Sequence, residues 1–256
     1  MRILLTNDDG YKSIGFLILL NELLKKHDVD VCIPMYEKSG SSSSLTLFDE
    51  MKYKEIKNGY TVDATPTDCV KIGLNGFFKK NDFDFIISGI NYGVNICNDI
   101  IYSGTAGAAK EGVINNVIGI ACSTGDYSPN IIRLFSNFLM NFIDSFDYSE
   151  IQNYKNYFFN INYPFSKYKG FKFTIPGTKK YNDSIFTTDC GDYKLVKLLV
   201  GTDSFIAGPN TDISSINDGN ISIGAFEYKN STFYPITEIF NHDKFESKLK
   251  YNLINN

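Results

Sequence analysis

Short apolar runs alternate with amphipathic segments through the first 150 residues of the chain. The apolar runs predict strands at Ile3 to Leu5, Val29 to Ile33, Phe83 to Ser88 and Val117 to Ala121. The amphipathic segments predict helices at about Ile14 to Lys26, Thr67 to Phe78, Gly104 to Asn115 and Pro129 to Phe146. Strands that alternate with helices are typical of parallel βαβ units. The pattern therefore predicts an α/β fold with a mostly parallel sheet flanked by helices.

The pattern changes beyond about residue 155, where aromatic-rich strands are predicted at Tyr157 to Ile161 and Phe171 to Ile175. A further extended pair, Ser184 to Thr188 and Tyr193 to Val200, predicts a projecting hairpin arm. An isolated two-stranded ribbon is unstable alone, so we expect the arm to pack on another subunit. We assign residues 1–150 to a catalytic core and 151–256 to a part that completes the sheet and carries the arm, within one continuous domain.

Composition narrows the classes of function. The 256-residue chain is 43% hydrophobic and 21% charged, with a net charge of −4, which fits a soluble globular protein. Its only arginines are Arg2 and Arg133, so we expect no polynucleotide partner. The five cysteines include no Cys-x-x-Cys pair, which argues against a disulfide framework or zinc knuckle. With no apolar segment of membrane-spanning length and no signal-peptide pattern, we expect no membrane and a cytoplasmic protein.

Two adjacent carboxylates, Asp8 and Asp9, follow the first predicted strand and precede Gly10. Side chains alternate along a strand, so both aspartates converge on one point only where the chain leaves the strand. Like charges held this close are stabilised by a divalent cation that takes oxygen ligands from both. Aspartates also cap helices, and a helix is predicted from Ile14. At this point both interpretations remain open.

Polar loops follow two more predicted strands. Ser39 lies after the strand that ends at Ile33, and Asn91 lies after the strand that ends at Ser88. Carboxyl ends of parallel strands meet at one edge of a sheet, where ligands bind. Their hydroxyl and amide oxygens, added to two carboxylates, suit Mg²⁺, Mn²⁺ or Ca²⁺ better than a soft metal. Taken singly, Ser39 and Asn91 are better explained by turn formation, for which Ser-Gly and Asn-x-Gly are standard.

The third polar loop continues into Ser103, Gly104 and Thr105, where small residues open a predicted helix. Backbone N–H groups at a helix start, with neighbouring hydroxyls, bind phosphate oxygens. The segment lacks the Gly-Lys-[Ser/Thr] ending of a P-loop. Close packing that demands small side chains is the alternative explanation.

Taken together, these segments closely resemble the SurE family of stationary-phase survival proteins. The residues that carry the resemblance are Ile3 to Gly10, Ser39-Gly40, Ser44 to Thr46, Thr65 to Val70, Ser88 to Asn91, the stretch from there to Glu111-Gly112, and more loosely Thr211-Asp212 with Gly219 to Ile223. The resemblance implies a Rossmann-like N-terminal domain and a C-terminal part that forms homodimers or homotetramers. Ala64 and Cys97 stand where the family usually has glycine.

The resemblance also implies a function and a site. One divalent metal, Mg²⁺ or Mn²⁺ with Ca²⁺ or Co²⁺ as alternatives, would be held by Asp8, Asp9, Ser39 and Asn91. Asn95, Ser103, Gly104 and Thr105 would bind the phosphate. We expect hydrolysis of nucleoside 5′- or 3′-monophosphates, with Asp8, Asp9 and Asn95 catalytic and Asp8 both ligand and general base. Two alternatives stay open: a phosphatase that forms an aspartyl phosphate, and a non-catalytic sensor of metal and nucleotide.

Overall fold

The computed structural model describes residues 1–78, 82–236 and 242–255. The strands are β1 (Arg2–Thr6), β2 (Asp28–Pro34), β3 (Tyr53–Ile56), β4 (Gly59–Val62), β5 (Phe85–Tyr92), β6 (Ile118–Thr124), β7 (Tyr157–Tyr163), β8 (Gly170–Thr174), β9 (Thr178–Tyr181), β10 (Ser184–Asp189), β11 (Lys194–Leu199), β12 (Thr202–Ile206), β13 (Asn220–Lys229) and β14 (Thr232–Ile236). The helices are α1 (Ile14–Leu23), α2 (Pro66–Ile72), α3 (Asp99–Tyr102), α4 (Gly104–Ile114), α5 (Pro129–Asp144), α6 (Asp212–Asn217) and α7 (His242–Asn255). No helix in these ranges is both long and apolar enough to cross a bilayer.

Ten of the described strands form one sheet in the order β14, β13, β7, β6, β5, β1, β2, β4, β3, with β8 also paired to β13. The six neighbouring strands from β7 to β4 are parallel. The chain moves outward from β1 to β2 in one direction and from β5 to β7 in the other. The crevice at such a reversal, beyond the carboxyl ends of β1 and β5, is where open α/β sheets bind ligands. The predicted α/β fold is confirmed.

Helices cover both faces of the parallel strands. Ile3 and Leu5 of β1 pack in the core beneath α1 and α5, whereas Leu4 packs on the opposite face with Ile86 and Ala108, beneath α2 and α4. Side chains of successive strand residues point to opposite faces, and here both faces are buried. This is why the strands appear in the sequence as continuous apolar runs.

Several boundaries differ from the predicted ones. The helix predicted from Thr67 to Phe78 is α-helical only to Ile72 and continues as a π-helical segment, Gly73–Phe77. Its start is fixed by a capping box, in which Thr65 Oγ1 accepts from the N–H of Asp68 while the Asp68 carboxylate accepts from the N–H of Thr65. The hairpin β3–β4 was not predicted, because its residues are mostly polar and lie largely outside the core.

The C-terminal part extends the sheet and carries the arm. Strand β7 pairs parallel with β6 and antiparallel with β13, so residues beyond 155 join the sheet of the first half. Strands β10 and β11 form a separate hairpin in which every residue is exposed. The predicted hairpin is confirmed, and each end of its two strands lies within one residue of the predicted position. The division at residue 150 stays a prediction.

Candidate metal and phosphate site

Asn7 organises the turn that carries the two aspartates. Its Oδ1 accepts from the N–H of Gly10 at 3.0 Å, and its Nδ2 donates to Ser13 Oγ at 2.9 Å. Gly10 has a φ of +84°, which a residue without a side chain adopts readily. Ser13 is the residue that caps α1, through a bond from the N–H of Phe16. The helix-cap interpretation of Asp8 and Asp9 is therefore wrong.

Both carboxylates are withdrawn from solvent. Asp8 is 4% exposed, and its Oδ1 accepts a 2.7 Å hydrogen bond from Thr105 Oγ1. Asp9 Oδ2 accepts from the N–H of Tyr92 at 3.0 Å and lies 3.4 Å from the Tyr127 hydroxyl. Burial raises the pKa of Asp8 to about 6, with a further increase from Asp9 and an opposing effect of the Thr105 bond. Burial also raises the pKa of Asp9.

Burial, with a smaller contribution from neighbouring carboxylates, disfavours the ionised form of both aspartates. Within the described ranges, the ion pairs of lysine, arginine and histidine include neither Asp8 nor Asp9. A buried carboxylate with no cationic partner is costly to ionise, and a bound cation removes that cost. The donor chemistry at this point therefore fits a divalent metal.

Two hydrogen bonds from backbone N–H groups bring the other predicted ligands to the same place. The N–H of Lys38 donates to the Asp8 carbonyl at 2.8 Å, which places the adjacent Ser39 beside the aspartate turn. The bond from Tyr92 to Asp9 does the same for Asn91. Asn91 Nδ2 donates to the Gly93 carbonyl at 2.6 Å, and its Oδ1 accepts no hydrogen bond from the part of the chain that the structure describes. Ser39 is exposed, and its hydroxyl donates to Glu37.

The donor set is one of hard oxygen atoms. Groups of three or more His, Cys, Asp or Glu side chains that could hold a metal are absent from residues 1–78, 82–236 and 242–255. Two carboxylates, a hydroxyl and an amide oxygen are the types of ligand that Mg²⁺, Mn²⁺ and Ca²⁺ prefer.

The start of α4 lies against both Asp8 and the loop that contains Ser41 to Ser44. Ser103 caps the helix by accepting from the N–H of Ala106 at 3.0 Å. A Cβ added to Gly104 would lie 2.4 Å from Ser41 Oγ, and one added to Gly107 would lie 2.1 Å from the Ser42 carbonyl oxygen. Small residues are therefore required for close packing here. The Thr105 hydroxyl, which we expected to bind phosphate, donates to Asp8 in this structure.

Asn95 lies on the loop between β5 and α3 and is bonded on several sides. Its backbone contacts the side chains of Asn160 and Asn162, and its Nδ2 donates to Ser123 Oγ at 2.9 Å. Two residues further on, Cys97 adopts a φ of +54°, which explains why glycine suits this position.

A buried carboxylate holds this unusual turn. Asp212 is 3% exposed and accepts hydrogen bonds from the N–H groups of Cys97, Gly177 and Ile213, at 2.7, 2.8 and 2.7 Å. It therefore fastens the loop after Asn95 to the C-terminal part of the chain.

Sequence reasoning missed Tyr127, Asn160 and Asn162, and it gave Asp212 no role although that residue lies in a segment that carries the resemblance. Asn160 and Asn162 could have been found, because two amides spaced by two residues interrupt an otherwise aromatic and apolar strand. A polar side chain on the buried face of such a strand needs a partner. Tyr127 gave no such signal, since it lies in a loop among polar residues.

Comparison with known proteins agrees with this geometry. The family model described as "Survival protein SurE" matches residues 3–183. A "5'/3'-nucleotidase SurE" from Wigglesworthia glossinidia brevipalpis is 39% identical over 235 residues, which cover 87% of this chain and 90% of that protein. A "5'-nucleotidase SurE" from Thermoanaerobacter sp. (strain X514) is 35% identical over 249 residues, covering 94% and 97%.

The fold has a solved counterpart. A crystal structure of the SurE protein from Aquifex aeolicus superposes with a TM-score of 0.73 at 28% identity, covering 98% of this chain and 99% of that one. Sequence, fold and the arrangement of polar residues at the end of β1 thus lead to one conclusion: the chain belongs to the SurE family.

Proposed function

We propose that this chain is a divalent-metal-dependent nucleotidase that hydrolyses nucleoside 5′- or 3′-monophosphates to nucleoside and inorganic phosphate. Family membership and the nucleotidase names of its relatives support this reaction. The structural observation that carries the proposal is the pair of buried Asp8 and half-buried Asp9, which lacks a cationic side-chain partner in the described chain and lies beside the start of α4.

Asp8, Asp9, Ser39 and Asn91 would hold the metal, with Mg²⁺ or Mn²⁺ as first choices and Ca²⁺ or Co²⁺ as alternatives. When bound, the cation supplies positive charge that stabilises a phosphoryl oxygen and makes a nearby water molecule more acidic. A cation also lowers the pKa of Asp8 again, so that its carboxylate is ionised in the loaded enzyme. This carboxylate is the general base that we propose for the attacking water.

The chain's own donors would hold the phosphoryl group. In the first turn of α4 the N–H of Ala106 is taken by the Ser103 cap, the N–H groups before it have no intrahelical acceptors, and such helix starts bind anions. Ser103 uses its oxygen as the helix cap and retains a proton to donate. Asn95 retains one of its two Nδ2 hydrogens beyond the bond to Ser123. These donors would stabilise charge that develops on the equatorial oxygens during transfer.

A panel of nucleoside 5′- and 3′-monophosphates, assayed for phosphate release with Mg²⁺, Mn²⁺, Co²⁺, Ca²⁺ or chelator, tests the proposal. We expect turnover with at least one metal and none with chelator. Nucleotide binding without turnover would instead establish a sensor. Acid-stable trapping of labelled phosphate on the protein would establish an aspartyl-phosphate phosphatase, since direct attack by water leaves no phosphoenzyme.

We propose that the arm makes the protein a homodimer or homotetramer. One face of the hairpin carries Ile185, Val196 and Leu198, and the other carries Phe186, Leu195 and Leu199. All six are exposed, and contiguous exposed apolar surface marks interaction sites. The base of the arm is fixed to α3, where the Lys179 ammonium and the Tyr181 hydroxyl both donate to the Asp99 carboxylate. Analytical ultracentrifugation would give the number of subunits.

We also propose a reducing compartment, the cytoplasm, for this protein. All five cysteines are free thiols, and four of them are buried. Cell fractionation with an antibody against the chain would test the location.

A further inference from the structure

Side chains of β7 hold the backbone of Asn95. Its N–H donates to Asn162 Oδ1 at 2.8 Å, and its carbonyl oxygen accepts from Asn160 Nδ2 at 2.7 Å and from Asn162 Nδ2 at 3.2 Å. Asn162 therefore binds both polar backbone groups of Asn95 with one amide. Both β7 amides are buried, at 2% and 0% exposure, so water does not compete for these bonds.

We propose that Asn160 and Asn162 are positioning residues that hold Asn95 in place for the phosphoryl group, an inference that rests on the nucleotidase function proposed above. Burying amides among aromatic side chains costs free energy unless the amides are bonded. Phe158 and Phe159 precede Asn160 and are buried in the core. The bonds to Asn95 offset that cost for three of the four amide atoms, while Asn160 Oδ1 has no hydrogen-bond partner in the described structure.

The neighbouring strand β6 orients the side chain of Asn95. Ser123 on β6 takes one Nδ2 hydrogen of Asn95 at 2.9 Å, which fixes the direction of the other. Ser123 pairs in register with Asn91 on β5 and with Asn162 on β7. We call Asn91, Ser123 and Asn162 the polar row. The polar row places Asn91, a proposed metal ligand, on a strand next to the residues that bond to Asn95. Strands hold a site more rigidly than loops do.

The next residue in register offers a matched control. Ser222 on β13 pairs with Asn162, is equally buried, and bonds to the Thr174 hydroxyl at 2.8 Å rather than to Asn95. Ser222→Ala thus removes a buried polar group beside Asn162 without touching the loop. A general loss of stability in this part of the sheet would affect both variants, whereas a positioning role affects only Asn162.

The experiment measures kcat and KM for a nucleoside monophosphate together with Mn²⁺ binding by calorimetry and thermal unfolding. In Asn162→Ala and in Asn160→Ala we expect kcat to fall by roughly 10- to 100-fold, because small displacements of a reacting group are costly, with KM and Mn²⁺ affinity within about threefold of the wild type. Ser222→Ala should change kcat by less than about twofold, since it leaves the transition-state contacts in place.

A double-mutant cycle identifies the route of the effect. If Asn162 acts through Asn95, adding Asn162→Ala to Asn95→Ala should not lower kcat further. The positioning role would be overturned if Asn162→Ala lowered kcat further in the Asn95→Ala protein. An unchanged kcat in Asn162→Ala, or an equal fall of kcat in Ser222→Ala, would overturn it as well. Should Asn162→Ala fail to fold, Ser123→Ala takes its place, because it removes one hydroxyl and releases the Asn95 amide.

The two proposals fail in different ways. A folded wild type that hydrolyses no nucleoside monophosphate with any of the four metals overturns the nucleotidase function, and the role of Asn95 with it. An active wild type whose kcat is insensitive to Asn160→Ala and Asn162→Ala overturns the positioning role alone.

Discussion

The metal and phosphate site and the hairpin β10–β11 depart from the usual distribution of residues in opposite ways. At the site, polar groups such as Asp8, Thr105 and Asn162 are buried. In the hairpin, apolar side chains are exposed, for example Ile185 at 69% and Val196 at 70%. Folded chains normally bury apolar groups and solvate charged ones. Both departures fit the proposals above, in which a cation and an anion bind at the site and a second chain covers the arm.

The largest effect is expected from Asp8→Asn. We expect kcat/KM to fall by roughly 1,000-fold, because a charged ligand and the proposed base are lost together. The exposed Asp49→Asn is the control. If Asp8→Asn retains wild-type turnover at saturating Mn²⁺, Asp8 is neither a metal ligand nor the general base. The burial of polar groups at the site would then have no link to catalysis.

The same substitution should stabilise the metal-free protein. The pKa of Asp8 is raised from 3.8 to about 6 in the folded state. A raised carboxyl pKa contributes stability below pH 3.8 that is lost as the pH rises through 6. Above pH 7, metal-free Asp8→Asn should therefore exceed the wild type by roughly 2 to 3 kcal/mol in unfolding free energy. Urea denaturation with chelator at pH 4 and pH 8 measures this, and equal stabilities at pH 8 would contradict it.

A smaller effect is expected at Asp212, which links the loop after Asn95 to the C-terminal part of the chain. Asp212→Ala leaves the buried N–H groups of Cys97 and Gly177 without their acceptor. Each such group costs about 1 to 3 kcal/mol, so we expect a loss of roughly 3 kcal/mol in unfolding free energy. Asp218→Ala, at the exposed end of α6, is the control. Equal melting temperatures for Asp212→Ala and the wild type would show that the loop is held by other contacts.

His27 is a buried polar side chain outside the metal and phosphate site, and we expect it to have no role in catalysis. It is 8% exposed, and its ring nitrogens have no hydrogen-bond partner within the described structure, although Asp144 lies 3.8 Å away. Burial lowers its pKa, and this effect outweighs the attraction of Asp144. The stability it contributes is therefore present above pH 6.5 and lost as the pH falls. His27→Leu should flatten the fall in stability between pH 7 and 5 without changing kcat; an altered kcat would link His27 to the site.

The smallest effect on the folded chain is expected in the arm. Val196→Asp combined with Leu198→Asp places two charges on one exposed face, so the unfolding free energy of the monomer should change by less than about 0.5 kcal/mol. Sedimentation should nevertheless show a loss of oligomers. Lys197→Ala, on the opposite face, is the control. Unchanged assembly in the double variant would place the subunit interface elsewhere.

The sequence predicted best where one local signal was sufficient. Strands β1, β2 and β6 were visible because they are buried on both faces and therefore appear as apolar runs. Hairpin β10–β11 was visible because its turn residues separate two extended runs. The ribbon β9–β12 was missed, since its short strands pair across an intervening hairpin and neither shows a clear pattern.

For the site, the sequence placed the aspartates, Ser39 and Asn91 after strand ends, and the structure brings these segments together. The predicted end at Ser88 was wrong, because β5 continues to Tyr92 and Asn91 lies within the strand. The sequence did not indicate that the Thr105 hydroxyl donates to Asp8, because that bond spans 97 positions. Nor did it indicate the support of Asn95 by Asn160 and Asn162, which are more than 60 residues away. Such contacts depend on strand register and loop path, which single-sequence patterns do not encode.

The arm also has a consequence for the assembly of the protein in time. Its apolar side chains remain exposed in the folded single chain, so a newly made chain can complete its sheet while the arm still has two open edges. Encounter between chains is a second-order process, and the period of exposure lengthens as the concentration of chains falls. Slow synthesis therefore prolongs the stage at which strands of unrelated chains can pair with the arm, and the risk of aggregation is greatest then.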